Sequence, residues 1–208
     1  MSPRTAQANQ QVRDERQEQI LMAALRVFAQ QGFAATKMSD IAAAAGVSYG
    51  LVAHYFGKKD EIYSAVIARA FAGVLQLFED SLMRSGTPWE HLCYVCEKML
   101  VGIQETPEYV LLVNQARTNP AVSAGDKALF RRYENRSLDL QLELIRQAQA
   151  AGQVRAGDPL ELAIAFSAII QGLAILSFYE RAQSTQSQPV DFLTHFPDTE
   201  TVLRLMKP

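Results

Sequence analysis

His91, Cys93 and Cys96 are the residues whose types and spacing come nearest to catalytic or metal chemistry. Cysteines at C-x-x-C spacing can hold zinc or cycle through a disulfide. A structural zinc site needs four ligands, usually two such clusters, and this chain has only 3 histidines and 2 cysteines. A thioredoxin-like motif needs a βαβ setting, and no strand alternation surrounds these residues. On a helix, positions i and i+3 share a face, so Cys93 and Cys96 are expected to pack in a core. Thiol sensing and metal binding are the weaker readings, and no metal or cofactor is expected. No nucleophile–base pair or phosphate-cradling glycine loop is readable, and the carboxylates are scattered over helix surfaces. His91 and His195 are read as bystanders, and the chain is not expected to be an enzyme.

A second set of polar groups suits recognition. The stretch from Thr36 to Lys59, TKMSDIAAAAGVSYGLVAHYFGKK, reads as two short helices joined by a tight turn. The first, Met38 to Ala45, turns Ile41, Ala42 and Ala45 inward, and Gly46 supplies a left-handed residue to end it. Ser48 is a good N-cap for the second helix, Tyr49 to about Phe56. That helix would bury Val52 and Phe56 and turn Tyr49, Gly50, Ala53 and His54 outward. Two helices at such an angle form a helix-turn-helix, whose second helix enters a DNA major groove by its N-terminal end. A glycine inside a helix costs about 1 kcal/mol relative to alanine, so Gly50 suggests close approach of the backbone to DNA. The alternative is an ordinary helix–helix contact. Tyr49 and His54 are expected at base edges or nearby backbone. Thr36, also read as the N-cap of the first helix, is expected to hold phosphate with Lys37, Ser48, Tyr55 and Lys59.

The run from Gly32 to Ile62 resembles the DNA-binding domain of the TetR (tetracycline-repressor-like) family of transcriptional regulators. The resemblance rests on Gly32-Phe33, Thr36, Asp40-Ile41-Ala42, Ala45-Gly46-Val47-Ser48, Gly50, Tyr55-Phe56, Lys59 and Ile62. It implies a three-helix head, a helical ligand-binding body, a homodimer, and repression relieved by a small molecule. One position departs: Ala53 stands where the family usually has tyrosine, removing a common phosphate contact that His54, Tyr55 and Lys59 would have to replace.

Composition permits such a molecule. The chain has 208 residues, 49% of them hydrophobic, enough for a full core without disulfides or metals. Residues 1–63 carry 7 Lys+Arg against 6 Asp+Glu, so placed contacts rather than a basic field must supply affinity. Residues 1–19 lack an apolar signal region, and a reducing cytoplasm suits the cysteine usage. Leu162 to Phe178 contains no charge. Its alanines, Ser167, Gln171, Gly172 and Ser177 favour a helix buried on both sides over a membrane span, and no membrane partner is expected.

In chain order the reading is all-α. A disordered arm over residues 1–15, whose Arg4 and Arg13 could reach a minor groove though a solvated tail is favoured, precedes a three-helix head over 16–62. A helical-bundle body for ligand binding and dimerisation follows over 63–208. The first head helix runs from Arg16 to Gln31 and buries Ile20, Leu21, Ala24, Leu25 and Phe28. A long helix from about Lys58 to Met83, with Ile62, Val66, Ala70, Phe71, Val74, Leu77 and Phe78 as its stripe, links head to body. Helix starts are expected at Thr87-Pro88, Pro107-Glu108, Ser123 and Asp158-Pro159. A Gln/Ser-rich loop, Gln183 to Gln188, leads to a last short helix near Asp198 to Leu205.

In the body, an effector pocket is expected among Phe71, Phe78, Cys96, Met99, Tyr109, Asn114, Phe166 and Gln171. The resemblance suggests this pocket, since periodicity cannot show a cavity. The helix from Leu160 to Tyr179 is apolar on nearly every face, so a two-fold contact through Ala168, Gly172, Ile175 and Tyr179 is expected, with the C-terminal helix beside it. The partners expected are an operator in double-stranded DNA, a small largely apolar effector and a second copy of the chain. The alternative class is a helical interaction or scaffold protein.

Overall fold

A computed structural model describes residues 3–183 and 195–208, with side chains for residues 8–181 and 195–208. The elements are α1 (Pro3–Ala35), α2 (Met38–Ala44), α3 (Tyr49–Tyr55), α4 (Lys59–Leu82), α5 (Pro88–Glu105), α6 (Glu108–Thr118), α7 (Ala124–Ala150), α8 (Pro159–Gln183) and α9 (Thr199–Leu203), with a 3-10 turn at Arg204–Met206. No strand occurs among the described residues. The expected loop beyond Gln183 lies outside them.

Local signals place most of the helix ends. Thr87 accepts from the Glu90 amide while Glu90 accepts from the Thr87 amide, and Pro88 occupies the first turn of α5. Asp158 Oδ1 accepts from the Leu160 amide at the start of α8, and Asp198 Oδ1 from Thr201 at the start of α9. One expectation is corrected at the N-terminus: the stretch taken as a disordered arm continues α1 back to Pro3. Between Pro3 and Gly32 there is no helix breaker, and residues such as Ala6, Gln10, Glu15 and Arg16 are good helix formers. Gln10 to Asp14 and Gln11 to Glu15 add bonds at i,i+4 spacing. Gly32, at φ 77°, makes the bend after which Phe33 returns to the core.

The chain divides into two compact units, Met1–Arg69 with Leu112–Lys127, and Ala70–Leu111 with Ala128–Pro208. In the first, Ile20, Leu25 and Phe28 of α1, Ile41 of α2, Val52 of α3, and Ile62, Tyr63 and Ile67 of α4 are all buried. The segment 112–127 contributes buried Leu112, Ala116 and Val122. It is tied to α4 where the Ser64 hydroxyl donates to Asp126 Oδ2 at 2.9 Å, the same oxygen that Ser123 reaches at 2.8 Å. This explains a departure from the expected α4 stripe. Tyr63 and Ile67, outside that stripe, are fully buried, whereas Val74, within it, is 39% exposed.

In the second unit, Phe78, Leu92, Val95, Cys96, Leu100, Leu144, Ile145, Ala148, Leu162 and Phe166 form the core. The chain's last residues close it: Val202, Leu203 and Met206 are buried, and α9 packs on α5. The Met206 carbonyl accepts from the Arg155 amide and the Leu205 carbonyl from Arg155 Nε. The apolar residues of α9 are thus buried inside its own unit.

Candidate nucleic-acid interface

Helices α1, α2 and α3 frame the candidate interface. Ala45 ends α2, Gly46 turns the chain at φ 64°, and the Val47 amide donates to the Ala42 carbonyl at 3.0 Å. Gln19 of α1 donates from Nε2 to the Ala45 carbonyl at 2.7 Å, locking this turn to the supporting helix. Sequence periodicity missed that residue, because a polar residue beside a buried stripe looks like solvent-facing surface. Ser48 caps α3 by accepting from the Leu51 amide at 3.2 Å, so its hydroxyl hydrogen remains free to donate outward.

Val52 and Phe56 are buried, as their spacing requires, and α3 turns its other side to solvent. Tyr49 is 59% exposed, with Gly50 and His54 exposed beside it. A Cβ on Gly50 would meet nothing nearer than Ser48 Oγ at 4.0 Å. Nothing among the described residues therefore demands glycine there. Tyr55 stands edge-on to His54, with ring centroids 5.7 Å apart. Lys37 is exposed, and its amide donates to Asp40 Oδ2 at the start of α2.

Two expected phosphate contacts are corrected. Thr36 is buried, and its hydroxyl donates to the Gly32 carbonyl at 2.8 Å, so it fixes the bend after α1 instead of facing a ligand. Nor does it cap α2, whose N-cap is Lys37. Lys59 donates from Nζ to the carbonyls of Phe33 and Thr36, each at 2.8 Å, and lies 4.4 Å from the centre of the Phe33 ring. Its ammonium caps the carbonyls at the end of α1. The adjacent Lys58, like Lys37, is exposed.

Of the expected pocket residues, Phe78 and Phe166 meet in the second unit, at a narrow apolar crevice with Leu92, Val95, Leu203 and Met206. Its polar member is Gln141, a buried amide on the inner face of α7 that sequence reasoning missed among charged neighbours. Phe71 stacks on Phe130, with centroids 5.3 Å apart. Cys96 is fully buried in the core. Met99, Tyr109 and Gln171 are half-buried, and Asn114 belongs to the first unit instead. Both cysteines are free thiols. Burial, aided by neighbouring Cys93, pushes the Cys96 thiol up to about 12. Among the described residues no cluster of His, Cys, Asp or Glu could hold a metal ion.

On α8, Leu160, Ile164, Leu176 and Tyr179 are 42%, 60%, 51% and 55% exposed. Ala168 is exposed with them, and Gly172 and Ile175 are half-buried. A side chain at Gly172 would meet nothing within 4 Å. By length and composition, α4 and α8 would each suffice to cross a membrane.

The bend, the capped second helix and its exposed face define a helix-turn-helix protein. Residues 20–66 match the model of "Bacterial regulatory proteins, tetR family". The chain is 29% identical over 146 residues to the HTH-type transcriptional regulator HbdR of Aromatoleum sp. (strain CIB), covering 68% of this chain and 61% of that one. It is 38% identical over 96 residues to the HTH-type transcriptional regulator BetI of Rhizobium meliloti (strain 1021), covering 46% and 47%. The match thus spans about half to three fifths of these curated relatives. The fold is similar to that of the MbdR regulator from Azoarcus sp. CIB, with a TM-score of 0.72 at 21% identity, over 93% of this chain and 100% of that one. Over residues 20–66 the chain is therefore similar to the bacterial regulatory proteins of the tetR family.

Proposed function

We propose that the chain is a sequence-specific DNA-binding transcriptional regulator, a dimeric repressor released from a palindromic operator by a small, largely apolar effector. The observation that carries this reading is the first unit's capped recognition helix α3, with Tyr49, Gly50 and His54 open on one side and Val52 and Phe56 buried on the other. Tyr49 and His54 read base edges. Ser48, Tyr55 and Lys37 hold the backbone, which fixes register without reading sequence.

The exposed apolar face of α8 supports assembly as a two-fold pair, in which the same surface meets itself. Such a pair presents two recognition helices to half-sites about 34–36 Å apart, or a multiple of that. An effector would enter the second unit where the closed apolar crevice with Gln141 opens, since bundle sites place a few polar groups among apolar walls. Helix α4 runs from the first unit into the second, and through it effector binding changes the spacing of the heads. The coupling is reciprocal and typically about 1–3 kcal/mol. The protein works in the cytoplasm as a regulator and not as an enzyme.

Selection of bound sequences from a random duplex pool tests the reading and yields the operator in one step. The expected product is a palindromic consensus whose affinity falls steeply as salt rises. Recovery of unenriched sequence at low salt would overturn it.

A further inference from the structure

Among the described side chains of the N-terminal extension of α1, Arg13 has no acidic partner on its own helix. That helix's acidic residues each have a partner: Asp14 accepts from Gln10, Glu15 from Gln11, and Glu18 pairs with Arg69. Arg13 is exposed, and its guanidinium lies 6.0 Å from the centre of the Tyr55 ring, at the outer limit of a cation–π contact. Tyr55 in turn stands edge-on to His54. A cation, a phenol and an imidazole therefore form one row beside the end of α3.

The helical period explains the placement. Arg13 precedes buried Ile20 by seven residues, about two turns, and so shares the face that α1 turns toward its core. Asp14, Glu15 and Glu18 lie about 100–200° away around the helix. The row at Arg13 is thus positive while the opposite side of the same helix is acidic. Contact with the ring at 6.0 Å orients the guanidinium without consuming its N–H groups, and its planar fork suits a phosphate in bidentate fashion. The helix itself is too wide to enter a minor groove, being about 10–12 Å across against a groove about 6 Å wide.

We propose that Arg13 is a DNA phosphate contact held beside the recognition helix by Tyr55, making the α1 extension a third DNA-contacting element alongside α2 and α3. This rests on the DNA-binding reading above. The contact is indifferent to sequence and adds to whatever Tyr49 and His54 read.

Full-length protein, Arg13→Gln and Arg13→Lys are compared by fluorescence anisotropy on a mixed-sequence duplex of about 30 base pairs, a length spanning nearly three turns, over a range of salt. Arg13→Gln should lower the slope of log affinity against log salt by about 0.9 for each bound protomer. It should leave the melting temperature and the pool-selected consensus as they were. Arg13→Lys should keep the slope. An unchanged slope in a folded Arg13→Gln protein would overturn the proposal while leaving DNA binding intact. Failure of the unmodified protein to bind any duplex overturns both readings.

Discussion

Burial raises the Cys96 thiol to about 12, which favours packing over thiol sensing for that residue. At neutral pH such a group is thiolate in about one molecule in 10⁵, and the thiolate is the reactive form. Native protein at pH 7 should therefore leave Cys96 unmodified by an aromatic disulfide reagent, and denaturant should release it. Rapid modification of Cys96 in folded protein would restore thiol sensing. The pH dependence has a definite sign. The folded value lies above the ordinary thiol value of 9.0, so the unfolded chain loses this proton first as pH rises. Stability is therefore lost from about pH 9 toward 12, at a limiting rate of about 1.4 kcal/mol per pH unit. Comparison with Cys96→Ala isolates that slope from the contributions of the rest of the chain. The burial of Cys96 in the core was legible from spacing and helix period alone. Thr36 was not, because a threonine before a helix suits an N-cap and a buried bend equally well.

At the scale of elements, the contact between Lys59 and α1 changes what a substitution should do. The ammonium satisfies carbonyls left open at the end of α1, where the helix dipole is negative. Hydrogen bonds to charged groups contribute about 1.5–3 kcal/mol where they are well made, and this one is half exposed. Lys59→Ala should thus destabilise the protein by about 1–2 kcal/mol, seen as a lower denaturant midpoint with an unchanged m-value. The salt slope of DNA binding should stay as it was. Unaltered stability with a slope reduced by one would return Lys59 to the phosphate. The helices themselves, from Thr87-Pro88 to Asp158-Pro159, could be placed from capping residues because a cap is a local bond. The widened burial of α4 could not. Tyr63 and Ile67 are covered in a unit completed by residues 112–127, and no period within α4 reports a segment that far along the chain.

For the whole molecule, the proposed recognition of a palindromic operator depends on assembly. The exposed row of Ile164, Ala168, Leu176 and Tyr179 on α8 should be covered in solution by a second copy. Gly172→Glu places a charge beside that row without an internal clash, since nothing lies within 4 Å of the site. The variant should stay folded and run as a monomer in light scattering at micromolar concentration, with at least tenfold weaker binding to a palindromic duplex, about 1.4 kcal/mol. A monomer already in the unmodified protein would remove α8 from this role. The apolar character of α8 was plain in its composition. Which of its faces lies bare depended on where α5 and α9 came to rest.

Ser64 and Asp126, hydrogen-bonded across 62 positions of sequence, carry a consequence for synthesis and for engineering. The recognition helix is complete by Tyr55, yet the compact unit that holds it also needs Leu112, Ala116 and Val122. Ribosomes emit about 5–20 residues per second, so the head of a nascent chain must wait several seconds, with Tyr63 and Ile67 still bare, until that corner clears the exit tunnel. A chimaera made by cutting after Arg69 would inherit the reading surface without its lining. The transplantable cassette is discontinuous, and a graft that respects it carries Asp126 along with α3.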